Sequence, residues 1–169
     1  MAAKTASKKR KNTVGVIGLG IMGGAFARNL AAAGWRVVGY DISPAARRSA
    51  ARAGVEIARS AADVATAVPT ILTSLPKPAA LMDTVRKIGA AKLPRKILVE
   101  MSTFAISDKE NAERVLRKAG HVMLDTPVSG TGSQAKTRDL VFYASGDKAS
   151  IRKLKPMFEA WRLSSPRSV

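Results

Sequence analysis

From residue 13 onward, apolar and polar positions fall into two alternating textures. Residues 13–18 (TVGVIG) form a short apolar, β-branched run that stops at glycines, as a buried strand does. In residues 22–33, Met22, Ala25, Phe26, Leu30 and Ala33 recur at helical spacing, and Gly34 supplies a stop. Residues 36–41 (RVVGYD) read as a second strand, closed by Ser43-Pro44, where Ser caps a helix and Pro suits its first turn. The unit from 13 to 41 is therefore βαβ.

The alternation continues to the end of the chain. It predicts a helix over 44–53, a strand near 55–57, and a small helix from about Ser60 with Asp63 three positions on. A strand over 69–75 ends at Pro76 and Pro78, and a helix over 79–90, a strand over 96–101 and an amphipathic helix over 107–119 follow. Residues 121–126 and 140–145 read as the last two strands, separated by a Gly/Ser/Thr-rich segment, and a final helix begins near Lys148. Apolar runs alternating with helices across short loops imply a single α/β domain with a doubly wound, mostly parallel sheet. The expected division is a basic, disordered arm over 1–12, the domain over 13–147, and a final helix and tail over 148–169. No internal repeat is visible.

Composition narrows the chemistry. The 169 residues contain no cysteine and one histidine, so disulfides, iron–sulfur clusters, Cys-based zinc sites and multi-His metal sites are excluded, and no metal is expected. No stretch approaches the roughly 18 uninterrupted apolar residues of a membrane span, and no apolar core follows the lysine-rich start. The reading is a soluble, cytoplasmic protein with no membrane partner. Lys+Arg outnumber Asp+Glu by 29 to 12, a net charge of +17. Lys4, Lys8, Lys9, Arg10 and Lys11 supply five of these charges, so the excess is spread along the chain. The basic start suits a phosphate backbone or an import receptor, and equally a solubilising terminal arm. Nucleic acid is thus a partner the charge permits and does not favour.

Gly18-Leu-Gly20-Ile21-Met22-Gly23 fits GxGxxG, lying between a predicted strand and a predicted helix. In that context the first glycine permits a tight turn, and the second lets backbone approach a pyrophosphate. The third allows close helix–strand packing, with the helix N-terminus facing the phosphates. Asp41 ends the second strand 23 residues after Gly18, where a carboxylate meets the adenosine ribose hydroxyls. A glycine turn kept for packing alone would not require the acid. The combination predicts a Rossmann-type dinucleotide site. Asp41 would repel a 2′-phosphate, favouring NAD over NADP, whereas Arg47 and Arg48 just beyond it offer a place for that phosphate.

Four ordered motifs carry a family resemblance over about residues 13–160. They are the glycine loop, Leu75-Pro76 after one strand, Met101-Ser102-Thr103 after the next, and Asp125-Thr-Pro-Val-Ser-Gly130 after another. Together they resemble the β-hydroxyacid dehydrogenases, the family of 3-hydroxyisobutyrate dehydrogenase and, more distantly, 6-phosphogluconate dehydrogenase. The resemblance implies that Leu75, Pro76 and Thr103 line the nicotinamide half of the cofactor site. It further implies that Ser129, Gly130 and Thr131 form the loop that holds a small hydroxy acid by its carboxylate. Without the family, residues 127–133 read as a polar turn between strands. Thr131, Gln134 and Arg138 stand where the family commonly has glycines, and Arg138 is either a ligand for an acidic substrate group or a solvated loop residue.

Family members continue into a long helix with a catalytic lysine and then an all-helical domain. Neither the GxxGxG turn nor the KxxNN motif occurs here, and residues 162–169 have no family character, so a prematurely ended or frameshifted gene is expected. Lys153 and Lys155 read as surface lysines, and no catalytic residue is assigned. His121 is expected to be solvated at the far end from the ligand rim, and no paired carboxylates are expected on the rim. Phe158, Trp161 and Leu163 are expected to lie uncovered, inviting a homo-oligomer or aggregate. The leading expectation is the NAD(P)-binding domain of an oxidoreductase acting on short β-hydroxy acids, with little or no turnover by this chain. The alternatives are a non-catalytic binding module whose basic arm contacts nucleic acid or another polyanion, and a site completed by a separate polypeptide.

Overall fold

Strand and helix positions follow from local chemistry in the computed structural model, which describes residues 12–137 and 140–162. The arm through residue 11, Arg138 and the tail from Leu163 lie outside the described residues. The described elements are β1 (Thr13–Ile17), α1 (Ile21–Ala32), β2 (Arg36–Tyr40), α2 (Pro44–Arg52), β3 (Glu56–Ile57), α3 (Ala61–Ala67), β4 (Thr70–Thr73) and α4 (Pro78–Ala90). They continue with β5 (Ile97–Glu100), α5 (Ile106–Lys118), β6 (Val122–Asp125), β7 (Val128–Ser129), α6 (Gly132–Thr137), β8 (Val141–Phe142) and α7 (Lys148–Arg162). Ser43 Oγ caps α2 by accepting from Ala46 N, and Ser60 Oγ caps α3 by accepting from Asp63 N.

Six parallel strands form one sheet in the order β3-β2-β1-β4-β5-β6, the doubly wound order with its reversal between β1 and β4. Period-2 alternation sorts the strand side chains onto two faces. Val14, Val16, Val37, Leu72, Val99 and Leu124 pack with α1 and α7 through Phe26, Leu30, Leu154 and Met157. Ile17, Val38, Ile71, Leu98 and Met123 pack with α3, α4 and α5 through Val64, Leu81, Ile88 and Leu116. Both faces are covered, which is why the strands read as continuous apolar runs. Burial of a side chain such as Phe26, Ile71 or Leu116 contributes about 1.5–3 kcal/mol relative to exposure.

Four expectations are corrected. The run over 140–145 does not form a sheet strand: β8 pairs antiparallel with β7 in a separate two-stranded ribbon, and only Ser145 touches the sheet, through an isolated antiparallel bridge to Asp125 of β6. Its apolar character comes from packing, since Phe142 lies between Phe26 and Phe158 at centroid distances of 5.8 and 5.6 Å. That same contact half-buries Phe158, and Leu154 and Met157 of α7 are core residues. The helix face expected to stand uncovered is therefore covered in this part, while the side chain of Trp161 and all of Leu163 lie outside the described residues. His121 sits at the N-terminal end of β6 as expected, but it is only 4% exposed rather than solvated. Finally, Glu100 and Asp125 end the neighbouring strands β5 and β6 in register, so the rim does hold paired carboxylates.

Candidate functional site

The reversal of strand order leaves a crevice at the carboxyl ends of β1 and β4, and three glycines shape it. Gly18 has φ of +92°, and a Cβ there would stand 2.0 Å from the Ser74 carbonyl oxygen, so the loops after β1 and β4 touch through bare backbone. A Cβ at Gly23 would fall 1.8 Å from the Gly18 carbonyl oxygen, which holds α1 against β1. Gly20 is the opposite case, with nothing within 4 Å of its missing Cβ. It caps α1 and faces open space, so a bulky group can approach its backbone there. The first amides of α1 have no carbonyl partner within the helix, and its first turn has no acidic residue, a combination suited to an anion.

Two cavities meet at this crevice. One of about 540 Å³ is lined by Gly18, Gly20, Ile21, Met22, Asp41, Leu75 and Pro76, among others. A second of about 330 Å³ is lined by Met22, Ser74, Leu75, Pro76, Ser102, Thr103 and Gly130, among others. They share Met22, Ser74, Leu75 and Pro76, so together they make one elongated groove along the sheet rim from β2 to β7. Of the residues expected to touch a dinucleotide, all but Gly23 line one cavity or both, and Gly23 packs against the Gly18 carbonyl behind the loop.

Asp41 does more than face the groove. Its Oδ2 accepts from Leu19 N at 2.6 Å and its Oδ1 accepts from Ser43 N at 2.7 Å, so the carboxylate ties the glycine loop to the start of α2. Arg47 turns back onto the main chain, donating from Nη1 to the carbonyl oxygens of Asp41 and Ile42 at 2.7 and 3.3 Å. Neither Arg47 nor Arg48 lines the groove. At its outer wall Lys87 pairs with Asp83 at 2.7 Å, and that hydrogen bond and charge hold its ammonium above the usual lysine pKa.

The expected substrate loop is only partly on the groove. Gly130, with φ of +143°, lines the second cavity, and a Cβ there would meet Leu140 at 2.2 Å. Ser129 and Thr131 are exposed beside it. Thr131 is engaged locally: its Oγ1 accepts from Gln134 N at 3.3 Å, while Gln134 Oε1 accepts from Thr131 N at 2.9 Å. This reciprocal pair is a capping box, and it starts α6, a helix that reading the segment as a turn overlooks. Thr131-Gly-Ser-Gln134 is the signal that announces it. Arg138 lies outside the described residues.

The sequence reading also missed a charged cluster at the β5–β6 rim, buried at Glu100 and Lys109 and half-exposed at Asp125. Lys109 of α5 reaches Glu100 Oε2 at 3.0 Å and Asp125 Oδ1 at 2.5 Å, and the Glu100 side chain is fully buried. Burial acts to lower the Lys109 pKa, but hydrogen bonds and charge from Asp125 and Glu100 outweigh it and leave it raised. Among the described residues, no group of three or more His, Asp or Glu side chains is arranged to hold a metal ion, and no helix is long and apolar enough to cross a membrane.

A family model described as the NAD binding domain of 6-phosphogluconate dehydrogenase matches the chain over residues 13–162. The chain belongs to that family. A probable 3-hydroxyisobutyrate dehydrogenase from Mycobacterium tuberculosis is 31% identical over 147 residues, covering 87% of this chain and 50% of the relative. The solved structure of M. tuberculosis 3-hydroxyisobutyrate dehydrogenase with L-serine superposes with a TM-score of 0.85 at 30% identity, over 89% of this chain and 52% of that one. Psf3 in complex with NADP+ and 2-OPP superposes with a TM-score of 0.81 at 26% identity, over 88% and 53%. The chain spans about half the length of the curated relatives it matches. It is thus an NAD-binding-family domain of the 3-hydroxyisobutyrate dehydrogenase type, and one of its structural neighbours, Psf3, was solved with NADP+.

Proposed function

We propose that this chain binds NAD in preference to NADP along the joined groove, as the cofactor half of a dehydrogenase for short β-hydroxy acids. The observation that carries the proposal is the adjacency of the two cavities, which share Met22, Ser74, Leu75 and Pro76 beside the Gly18–Gly23 loop, with Asp41 on one and Thr103 on the other. In it Gly18, Gly20, Ile21, Met22 and Gly23 present backbone and the α1 N-terminus to the pyrophosphate. Asp41 accepts from the adenosine ribose with the lone pairs not used on Leu19 and Ser43. Leu75, Pro76 and Thr103 bound the nicotinamide. When bound, the cofactor supplies hydride acceptance or donation at the nicotinamide ring.

The choice of NAD follows from the acid and from the arginines. A 2′-phosphate would be brought next to the Asp41 carboxylate, and Arg47, the nearest cation on α2, is already bonded to carbonyl oxygens. The open loop at Ser129, Gly130 and Thr131, beside the nicotinamide end, suits the carboxylate of a small hydroxy acid. No residue of this chain is assigned as the proton acceptor for the alcohol.

The test is a fluorescence titration of the 169-residue chain with NADH and NADPH, with Asp41→Ala in parallel. Saturable NADH binding is expected, tighter than NADPH, with at least a tenfold loss of NADH affinity in the variant. A folded chain that binds neither nucleotide would overturn the proposal, and tighter NADPH binding would reverse the choice of cofactor.

A further inference from the structure

Lys109 stands where a helix has little use for it. It lies in the N-terminal part of α5, close to the end where the helix dipole favours acids, and Ala105 at the N-cap offers no side-chain bond. Yet its side chain is 8% exposed and spans two carboxylates, Glu100 at the end of β5 and Asp125 at the end of β6. Burying the Lys109 and Glu100 charges requires compensation, and their pairing, with the half-exposed Asp125 beside them, supplies it.

The cluster continues into the groove by hydrogen bonds. Glu100 Oε1 accepts from Ser102 N at 2.9 Å, and Ser102 Oγ accepts from Leu75 N at 2.9 Å. Ser102 and Leu75 both line the smaller cavity, at the end assigned above to the nicotinamide. Between Glu100 and Lys109 lie the β5–α5 loop, residues 101–105, and the first residues of α5, so the ion pair fastens the strand before the loop that carries Ser102 and Thr103 to the helix after it. On the other side, Asp125 exchanges backbone hydrogen bonds with Ser145 at 3.1 and 2.8 Å, just before the β7 segment that leads to Gly130. One ammonium thus joins the wall of the nicotinamide end to the base of the loop beyond β6.

We propose that Lys109, through Glu100 and Ser102, is a positioning residue that fixes the nicotinamide wall at Leu75 and the adjoining loop. This rests on the reading of the groove as a dinucleotide site. Lys109 touches neither cavity wall itself at the groove, and its effect passes through the Glu100–Ser102–Leu75 chain.

The experiment compares two probes that differ at one end. NADH fills the whole groove, whereas ADP-ribose lacks the nicotinamide and reports the glycine-loop end alone. Lys109→Met by itself leaves Glu100 buried without a countercharge, so the working variants are Glu100→Gln/Lys109→Met, which removes both charges, and Ser102→Ala, which removes only the acceptor for Leu75 N. Both are expected to weaken NADH binding at least fivefold while ADP-ribose affinity stays within about twofold, and combining them is expected to add little. A purely structural role would weaken both probes in proportion. That result, or wild-type NADH affinity in either folded variant, would overturn the proposal. If the double-charge variant does not fold, Ser102→Ala decides alone by the same criterion. If the unmodified chain binds ADP-ribose but gains nothing from the nicotinamide of NADH, the role of Lys109 falls while the glycine-loop reading stands; if it binds neither, both fall together.

Discussion

Two lysines are buried at opposite ends of the β5–β6 strand pair, and their surroundings give them opposite character. Lys96 precedes β5 at 8% exposure, and its ammonium donates to a single neutral group, the Val68 carbonyl oxygen at 2.9 Å. Burial lowers its pKa. Lys109, at the carboxyl end of the same strands, is 7% exposed, and there two carboxylates outweigh the same desolvation and raise its pKa. Burial alone therefore says nothing about what a lysine contributes; the charge of its partners does. At the amino end of the sheet, the cation fastens strand to loop at an electrostatic cost. At the carboxyl end, where the groove lies, the cation is stabilised and the carboxylates depend on it.

The sharpest way to break this contrast is to remove each ammonium. Lys109→Met is expected to destabilise the fold by about 3–5 kcal/mol, because it leaves Glu100 buried and unpaired, whereas Glu100→Gln/Lys109→Met should recover most of that loss. Urea denaturation of the two variants checks this, and equal losses would show that packing rather than charge pairing matters at the site.

A smaller effect is expected at the amino end on acidification. His121 Nδ1 accepts from Lys96 N at 3.2 Å, and burial, followed by the Lys96 charge, lowers the imidazole pKa in the fold. The unfolded chain then takes up a proton near the ordinary value of about 6.5 while the folded chain does not. The stability contributed by neutral His121 is present above pH 6.5 and lost as pH falls from there towards the folded pKa. Denaturation midpoints at pH 7 and pH 5 should therefore converge in His121→Leu, and an unchanged pH slope would remove His121 from the account. The smallest change is expected for Lys96→Met, within about 1 kcal/mol at pH 7, since the lost hydrogen bond to Val68 is offset by relief of a buried charge.

The comparison also shows which parts of the site were legible in the amino-acid order. Gly18, Gly20, Gly23 and Asp41 were readable because each meets a local backbone demand: a positive φ, an open approach, a close packing contact, and a strand end. The α2 and α3 caps at Ser43 and Ser60 were equally plain. The capping box at Thr131 and Gln134 was present in the sequence but masked by the glycines and hydroxyls around it, which read equally well as a turn. The Lys109 cluster had no such signature. Glu100 and Lys109 look like ordinary charged residues of a strand end and a helix, 9 positions apart, and Asp125 is 16 further on.

Periodicity, turn residues and the glycine spacing, all set within a few residues, determined by themselves that this chain forms alternating strands and helices with a dinucleotide loop after β1. Only the tertiary structure decided that residues 141–142 leave the sheet, that His121 is buried, and that Lys109 meets two acids. Those outcomes depend on which strand ends become neighbours, and β5 beside β6 in register is a property of the assembled sheet. Local sequence fixes backbone preferences because their energies act over one turn or one strand. The pairing of buried charges is fixed only when desolvation brings distant groups to a common place.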